Sequence, residues 1–95
     1  MSAYVIGDIE VTDPAAYEEY RKQVLAVVTK YGGKFIVRGG KVDAKEGDWK
    51  PERMIALEFP SMEQAQKWYH SPEYAPLIKL RQKASTGRLI IVDGA

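Results

Sequence analysis

Asp8, Arg38 and Glu58 are the first residues of this chain whose types and positions suggest chemistry. Each lies on a stretch that alternates like a β-strand, and on neighbouring antiparallel strands the three would share one face. An arginine between two carboxylates can anchor an anion or support acid–base transfer. The same trio can equally be an ion-pair network that fixes register between strands or subunits. His70, the one histidine, is the natural general base near neutral pH and joins Asp8 as a catalytic candidate. Near a helix C-terminus it also serves simply as a well-placed cation. Trp49 lies in a long polar connection, where it can stack on a flat ligand as a lid or plug its own loop. Arg81 can grip a ligand carboxylate with its planar fork, or pair with Glu73 or Glu58. Tyr17, Tyr20 and Tyr74 read as core or as pocket wall, and their hydroxyls need partners if buried. With Arg38, Arg81, Trp49 and Glu58 they complete the candidate ligand-binding set.

Other chemistries are excluded by what the chain lacks. With no cysteine and one histidine it has no thiolate nucleophile, iron–sulfur cluster or conventional zinc site. Ser85 has no base at a spacing that suggests a serine hydrolase. Gly32-Gly33 follows a helical stretch, and Gly39-Gly40 follows a strand without opening a helix, so neither forms a phosphate-binding loop. Neither a metal nor a cofactor is expected. Fourteen basic against thirteen acidic residues leave a formal charge of +1, which argues against nucleic acid and against a polybasic membrane-surface binder. No apolar run approaches the roughly 20 residues needed to cross a bilayer. The start has no basic-then-apolar signal pattern, and disulfide-free small domains are mostly intracellular; cytoplasmic is the expected location.

The elements that must position these residues follow from periodicity. Ala3 to Val11 alternates as a strand. Asp13 caps a helix with Pro14 at its first position, and Tyr17, Tyr20, Val24 and Tyr31 recur along one stripe until Gly32-Gly33 ends it. Lys34 to Arg38 and Arg53 to Phe59 are strands, separated by a polar connection over 39–52 too long for a tight hairpin. Ser61 and Gln64 predict a capping box for a helix reaching about His70. Ser71-Pro72 interrupts it, a shorter helical piece runs from Pro72 to Ala84, and Gly87 precedes a last strand, Arg88 to Val92.

The order β-α-β-β-α-β, with an insertion after the second helix, predicts a single domain over residues 1–95. The simplest right-handed arrangement interleaves two strand–helix–strand units into one antiparallel sheet of order 4-1-3-2, with the helices on one side. Val5, Ile9, Phe35, Val37, Ile55, Leu57, Phe59, Leu89 and Ile91 would lie beneath the helices. Tyr4, Ile6, Asp8, Ile36, Arg38, Met54, Ala56, Glu58, Ile90 and Val92 would form the other face. That face is too apolar to stand in water yet carries charge near its middle. A second copy packed against it would bury the one and enclose the other, which predicts a homodimer with a closed or nearly closed barrel.

The run Tyr4-Val5-Ile6, Asp13-Pro14 with Tyr17 and Tyr20, Gly32-Gly33-Lys34-Phe35 and Arg38-Gly39-Gly40 resembles a bacterial family, the domain of unknown function numbered thirteen-thirty. Gly47-Asp48-Trp49, Glu58-Phe59-Pro60-Ser61, Trp68-Tyr69, Ser71-Pro72-Glu73-Tyr74, Arg81 and Gly87-Arg88-Leu89 extend the likeness over nearly the whole chain. The resemblance implies an α+β, ferredoxin-like β-α-β-β-α-β sandwich of the dimeric α/β-barrel superfamily. Related families there include cofactor-free monooxygenases, isomerase-like enzymes, haem-handling proteins and stress-induced proteins, so scaffold and dimer are implied but no one chemistry. Two functions are therefore expected to compete. One is a small-molecule-binding domain or cofactor-free enzyme, oxygenase- or isomerase-like, acting on a small acidic or phenolic compound in the barrel cavity. The other is a non-catalytic structural or stress-response homodimer.

Overall fold

Alternation along Ala3–Val11 becomes strand β1, with Ala3, Val5, Gly7 and Ile9 buried and Tyr4, Ile6 and Asp8 half-buried on the opposite side. In the computed structural model, which describes residues 1–95, β1 leads to helix α1 (Pro14–Lys30) and strands β2 (Lys34–Arg38) and β3 (Met54–Phe59). Helices α2 (Met62–Tyr69) and α3 (Ala75–Ala84) and strand β4 (Ser85–Asp93) complete the chain. The sheet is antiparallel throughout, in the order β2-β3-β1-β4. This is the expected 4-1-3-2 order read from the other edge, and the fold is α+β and ferredoxin-like. Helix residues Tyr17, Tyr20, Val24, Val28, Trp68 and Leu77 share one core with Val5, Ile9, Leu57 and Phe59, so the helices cover a single face of the sheet.

The helix ends are fixed largely as the sequence predicts. The Asp13 carboxylate accepts the Ala16 amide at 3.2 Å, with Pro14 in the first turn. At the other end of α1 the Gly33 amide donates to the Val28 carbonyl at 2.9 Å and the Gly32 amide to Thr29 at 3.0 Å. With Gly32 at φ +84° this is a Schellman closure, which needs the left-handed conformation glycine adopts without steric cost. Ser61 accepts the Gln64 amide at 3.1 Å, but the expected reciprocal bond is absent. The Gln64 side chain instead donates to the Tyr31 carbonyl at 3.0 Å and ties the start of α2 to the end of α1. Glu73 reinforces that corner, pairing with Lys30 and accepting from the Tyr31 hydroxyl at 2.9 Å. The Lys30 ammonium holds the Glu73 carboxyl down to about 2, with the Tyr31 hydroxyl acting in the same sense.

Three details depart from the sequence expectation. Residues 72–74 form a turn, so α3 starts at Ala75; buried Ser71 organises that turn, donating to the Trp68 carbonyl at 2.8 Å and accepting the Tyr74 amide at 3.1 Å. Strand β4 begins at Ser85, directly after α3, so Gly87 lies inside it opposite Ile9 and does not precede it. The most consequential departure lies in β2. Phe35 pairs with Leu57, but Val37 pairs with Ala56 and Arg38 with Ile55, leaving Ile36 as an extra residue in a bulge-like register shift. Beyond it the faces exchange. Val37, expected beneath the helices, is turned to the open face and is 42% exposed. Arg38, expected on the open face, passes to the helix side.

Candidate functional site

One end of the open face forms a built pocket. Register places Asp8 opposite Met54 on β3 and opposite Arg88 on β4, so the three side chains converge on one side of the sheet. The 39–53 connection turns at Gly47, whose φ of +80° suits glycine, and lays Trp49 across them. The Trp49 indole Nε1 donates to Asp8 Oδ2 at 2.8 Å, and Arg88 Nη2 approaches the same oxygen at 3.4 Å. The Arg88 guanidinium lies 6.0 Å from the centre of the Trp49 ring, within cation–π range. The resulting pocket has a volume of about 620 Å³, walled by Ile6, Met54 and Ile90 together with Asp48 and Lys50 from the loop. It offers a flat indole, an aliphatic floor, a half-buried carboxylate that accepts hydrogen bonds, and two cations for an acidic group.

The sequence constellation comes apart around it. Asp8 and Trp49 meet, but Glu58 sits four residues along the sheet beside Tyr4, about 13 Å away at strand spacing. There it accepts from the Tyr4 hydroxyl at 3.3 Å and pairs with Lys34 at 3.4 Å. The Ser2 hydroxyl, with Lys34 and Tyr4, holds its carboxyl below the ordinary range. Arg38 faces neither acid; its guanidinium lies over the Phe35 ring at 4.4 Å on the helix side. The expected trio is therefore not a site, because the shift at Ile36 removes its arginine and strand length separates its acids. His70 ends α2 as an exposed cap, edge-on to Tyr69 at 5.3 Å, and lines none of the pockets described here.

The tyrosines belong to the opposite side of the sheet. Tyr17, Tyr20 and Tyr74 line a narrow crevice between helices and sheet with Arg38, Arg53 and Trp68; its free volume of about 10 Å³ suits roughly one water. The Tyr20 and Tyr74 hydroxyls bond each other at 2.8 Å. Burial pushes both phenols above their ordinary range, while the nearby Arg81 guanidinium opposes the shift at each. Removing one hydroxyl leaves the other buried without its partner, whereas removing both leaves no phenol unpaired. Tyr20→Phe and Tyr74→Phe are each expected to cost about 1–2 kcal/mol, and the double variant no more than about either single. Urea unfolding of the three variants checks this; a double variant costing the sum of the singles would show that the hydroxyls are not coupled.

Arg88, Asp48 and Lys50 line the pocket but lie outside the site residues that the sequence suggests. The signal for Arg88 is positional: it stands opposite Asp8 once the pairing of the first and last strands is known. Arg81, whose expected ion-pair partners were Glu73 and Glu58, meets neither, since those acids are held by Lys30 and Lys34.

Solved structures share this architecture. A protein of unknown function from Rhodopseudomonas palustris is 19% identical, with 99% of this chain and 82% of that one covered at a TM-score of 0.75. SnoaB, a cofactor-independent oxygenase from Streptomyces nogalater, is 12% identical, with 99% and 93% covered at a TM-score of 0.68. An EthD family protein from Bacillus halodurans is 19% identical, with both chains fully covered at a TM-score of 0.56. Identities this low establish a common fold. Among curated proteins none matches the sequence. No helix is long and apolar enough to cross a membrane. Residues 2–95 match the family described as Domain of unknown function (DUF1330), and the chain belongs to that family.

Proposed function

We propose that this protein binds a small, flat acidic or phenolic compound in the pocket over Asp8, Trp49 and Arg88, and that it does so as a homodimer. The observation that carries the reading is the pocket itself: about 620 Å³, within the range of small-molecule sites, with an indole, a carboxylate and a guanidinium already in contact. A ligand ring stacks on Trp49, its acidic group meets Arg88 and Lys50, and a phenol or other donor finds Asp8. The dimer is supported by the rest of the same face, where Ile36, Val37, Ile90 and Val92 are exposed, Ile90 to 58%. A second copy over that face would roof the pocket. Cofactor-free oxygenation or isomerisation is the chemistry to assay first, a choice supported by the cofactor-independent oxygenase that shares the fold.

Trp49 supplies the test. It is 53% exposed while the other tryptophan, Trp68, is 1% exposed, so ligand contact alters the emission of Trp49 alone. A panel of aromatic acids and phenols is expected to contain compounds that quench Trp49 saturably and raise the melting temperature, with the quench lost in Trp49→Phe. Ile90→Glu is expected to yield a monomer in sedimentation. A panel without saturable quenching, on a protein that sediments as a monomer before any substitution, sinks the reading. The competing non-catalytic dimer draws on one fact: Asp8 is already satisfied by Trp49 and Arg88. On that view Arg88→Ala lowers stability and changes no ligand affinity.

A further inference from the structure

Arg81 is a buried cation without a counter-charge. It is 7% exposed and forms no ion pair with any carboxylate of the chain; the neutral Tyr74 hydroxyl is a polar partner beside it, and its Nε has no acceptor. A guanidinium taken out of water in this way is costly unless an anion or a full set of acceptors meets it. The acids that could serve are committed elsewhere: Glu73 to Lys30 and Tyr31, and Glu58 to Lys34 and Tyr4. Its position in the last turn of α3 offsets the helix dipole, but that interaction supplies no acceptor to Nε.

The same arginine lines a pocket of about 350 Å³ on the helix side of the sheet, between α3 and the edge strand β4. Gln82 and Ser85 give the pocket polar groups, Thr86 and Gly87 border it along the edge strand, Tyr69 and Leu89 add two apolar residues, and no acidic residue lines it. Gly87 keeps the backbone of β4 bare at this point, and an edge strand leaves outward amides unpaired. The pocket is separate from the one over Asp8, which lies on the other face of the sheet.

We propose that this pocket is a binding site for a small organic carboxylate, with Arg81 as the counter-charge that the fold leaves unfilled. The carboxylate lies against the Arg81 guanidinium with Gln82 and the 85–87 edge of β4 beside it, and its apolar part rests on Tyr69 and Leu89. Tyr69 and Leu89 give an organic acid a contact that an inorganic oxyanion of equal charge lacks.

Benzoate and inorganic phosphate, titrated at constant ionic strength into the isotopically labelled full chain, test the proposal. Benzoate is expected to shift the amides of Gln82 and of residues 85–87 saturably, and phosphate to bind at least tenfold more weakly. Arg81→Met, which keeps the buried stem and loses the contact with the Tyr74 hydroxyl but no ion pair, is expected to weaken benzoate tenfold or more while the ligand-free protein stays folded. Exposed Gln82→Leu gives a second variant that is safe for folding, expected to weaken benzoate severalfold. Benzoate affinity unchanged in both variants overturns the proposal, as does the absence of saturable shifts. Shifts confined to Asp8, Trp49 and Arg88 also overturn it while supporting the separate reading of the open-face pocket. Phosphate binding as tightly as benzoate overturns the assignment to an organic acid.

Discussion

Gly87→Ala is expected to destabilise the protein by about 3 kcal/mol or more, far beyond what one added methyl group costs at an ordinary strand position. A Cβ built on Gly87 runs into the Asp8 carbonyl oxygen and lies 3.0 Å from the Ile9 Cα. Both obstacles are backbone, so no rotamer change relieves the clash and β4 must move away from β1. The pairing of Asp8 with Arg88 and of Ile9 with Gly87 is the stretch that would open. Thermal unfolding should show a drop of about 10 °C or more for a domain of this size. Gly40→Ala is the matched control: it has no neighbour within 4 Å and no positive φ, so it should be nearly neutral. A Gly87→Ala protein as stable as Gly40→Ala would mean that the two strands are not in this close register. Because Gly87 also borders the Arg81 pocket, and Asp8 the open-face one, the substitution should impair both sites together.

Element order and sheet order are legible in the sequence because they rest on local periodicity and on topology rules that allow few alternatives. Asp13-Pro14, Gly32-Gly33 and Ser61 mark helix ends whose capping bonds form within four or five residues. The faces of β2 are not legible, and the reason is specific. Phe35, Ile36 and Val37 are consecutive apolar residues, so alternation carries no information about where an extra residue enters, and a one-residue shift turns every later side chain over. Arg38 lands on the helix side for that reason alone. The pocket partners of Asp8 fail differently. Arg88 is 80 positions away and Trp49 is 41, and strand patterning says nothing about cross-strand register or about where the connection over 39–53 comes to rest. Gln64 shows a third kind of failure: a local motif was present, but a tertiary acceptor, the Tyr31 carbonyl, took its side chain.

Trp68→Ala is expected to cost about 3–5 kcal/mol, a large part of the 5–15 kcal/mol that holds a typical domain together. Trp68 is the point at which α2, the sheet and the start of α3 meet: its ring stacks on Tyr74 at 4.3 Å and packs against Phe59 at 5.3 Å and Tyr69 at 6.1 Å. The indole also carries a buried Nε1–H with no acceptor, so part of its packing gain is offset by an unpaired donor. Trp68→Phe keeps a ring in the stack and removes that donor, and should therefore recover most of the loss, ending within about 1.5 kcal/mol of the parent. Urea unfolding of the two variants separates the contributions; equal losses would show that the Nε1–H is in fact satisfied and valuable. The consequences for the two pockets should also differ. Tyr69 and Arg81 depend on the α2–α3 corner that Trp68 supports, whereas Asp8, Trp49 and Arg88 are fixed by strand register and the 39–53 loop. A folded Trp68→Phe protein should thus retain the Trp49 response to ligand even where carboxylate binding at Arg81 is weakened, and its emission then comes from Trp49 alone.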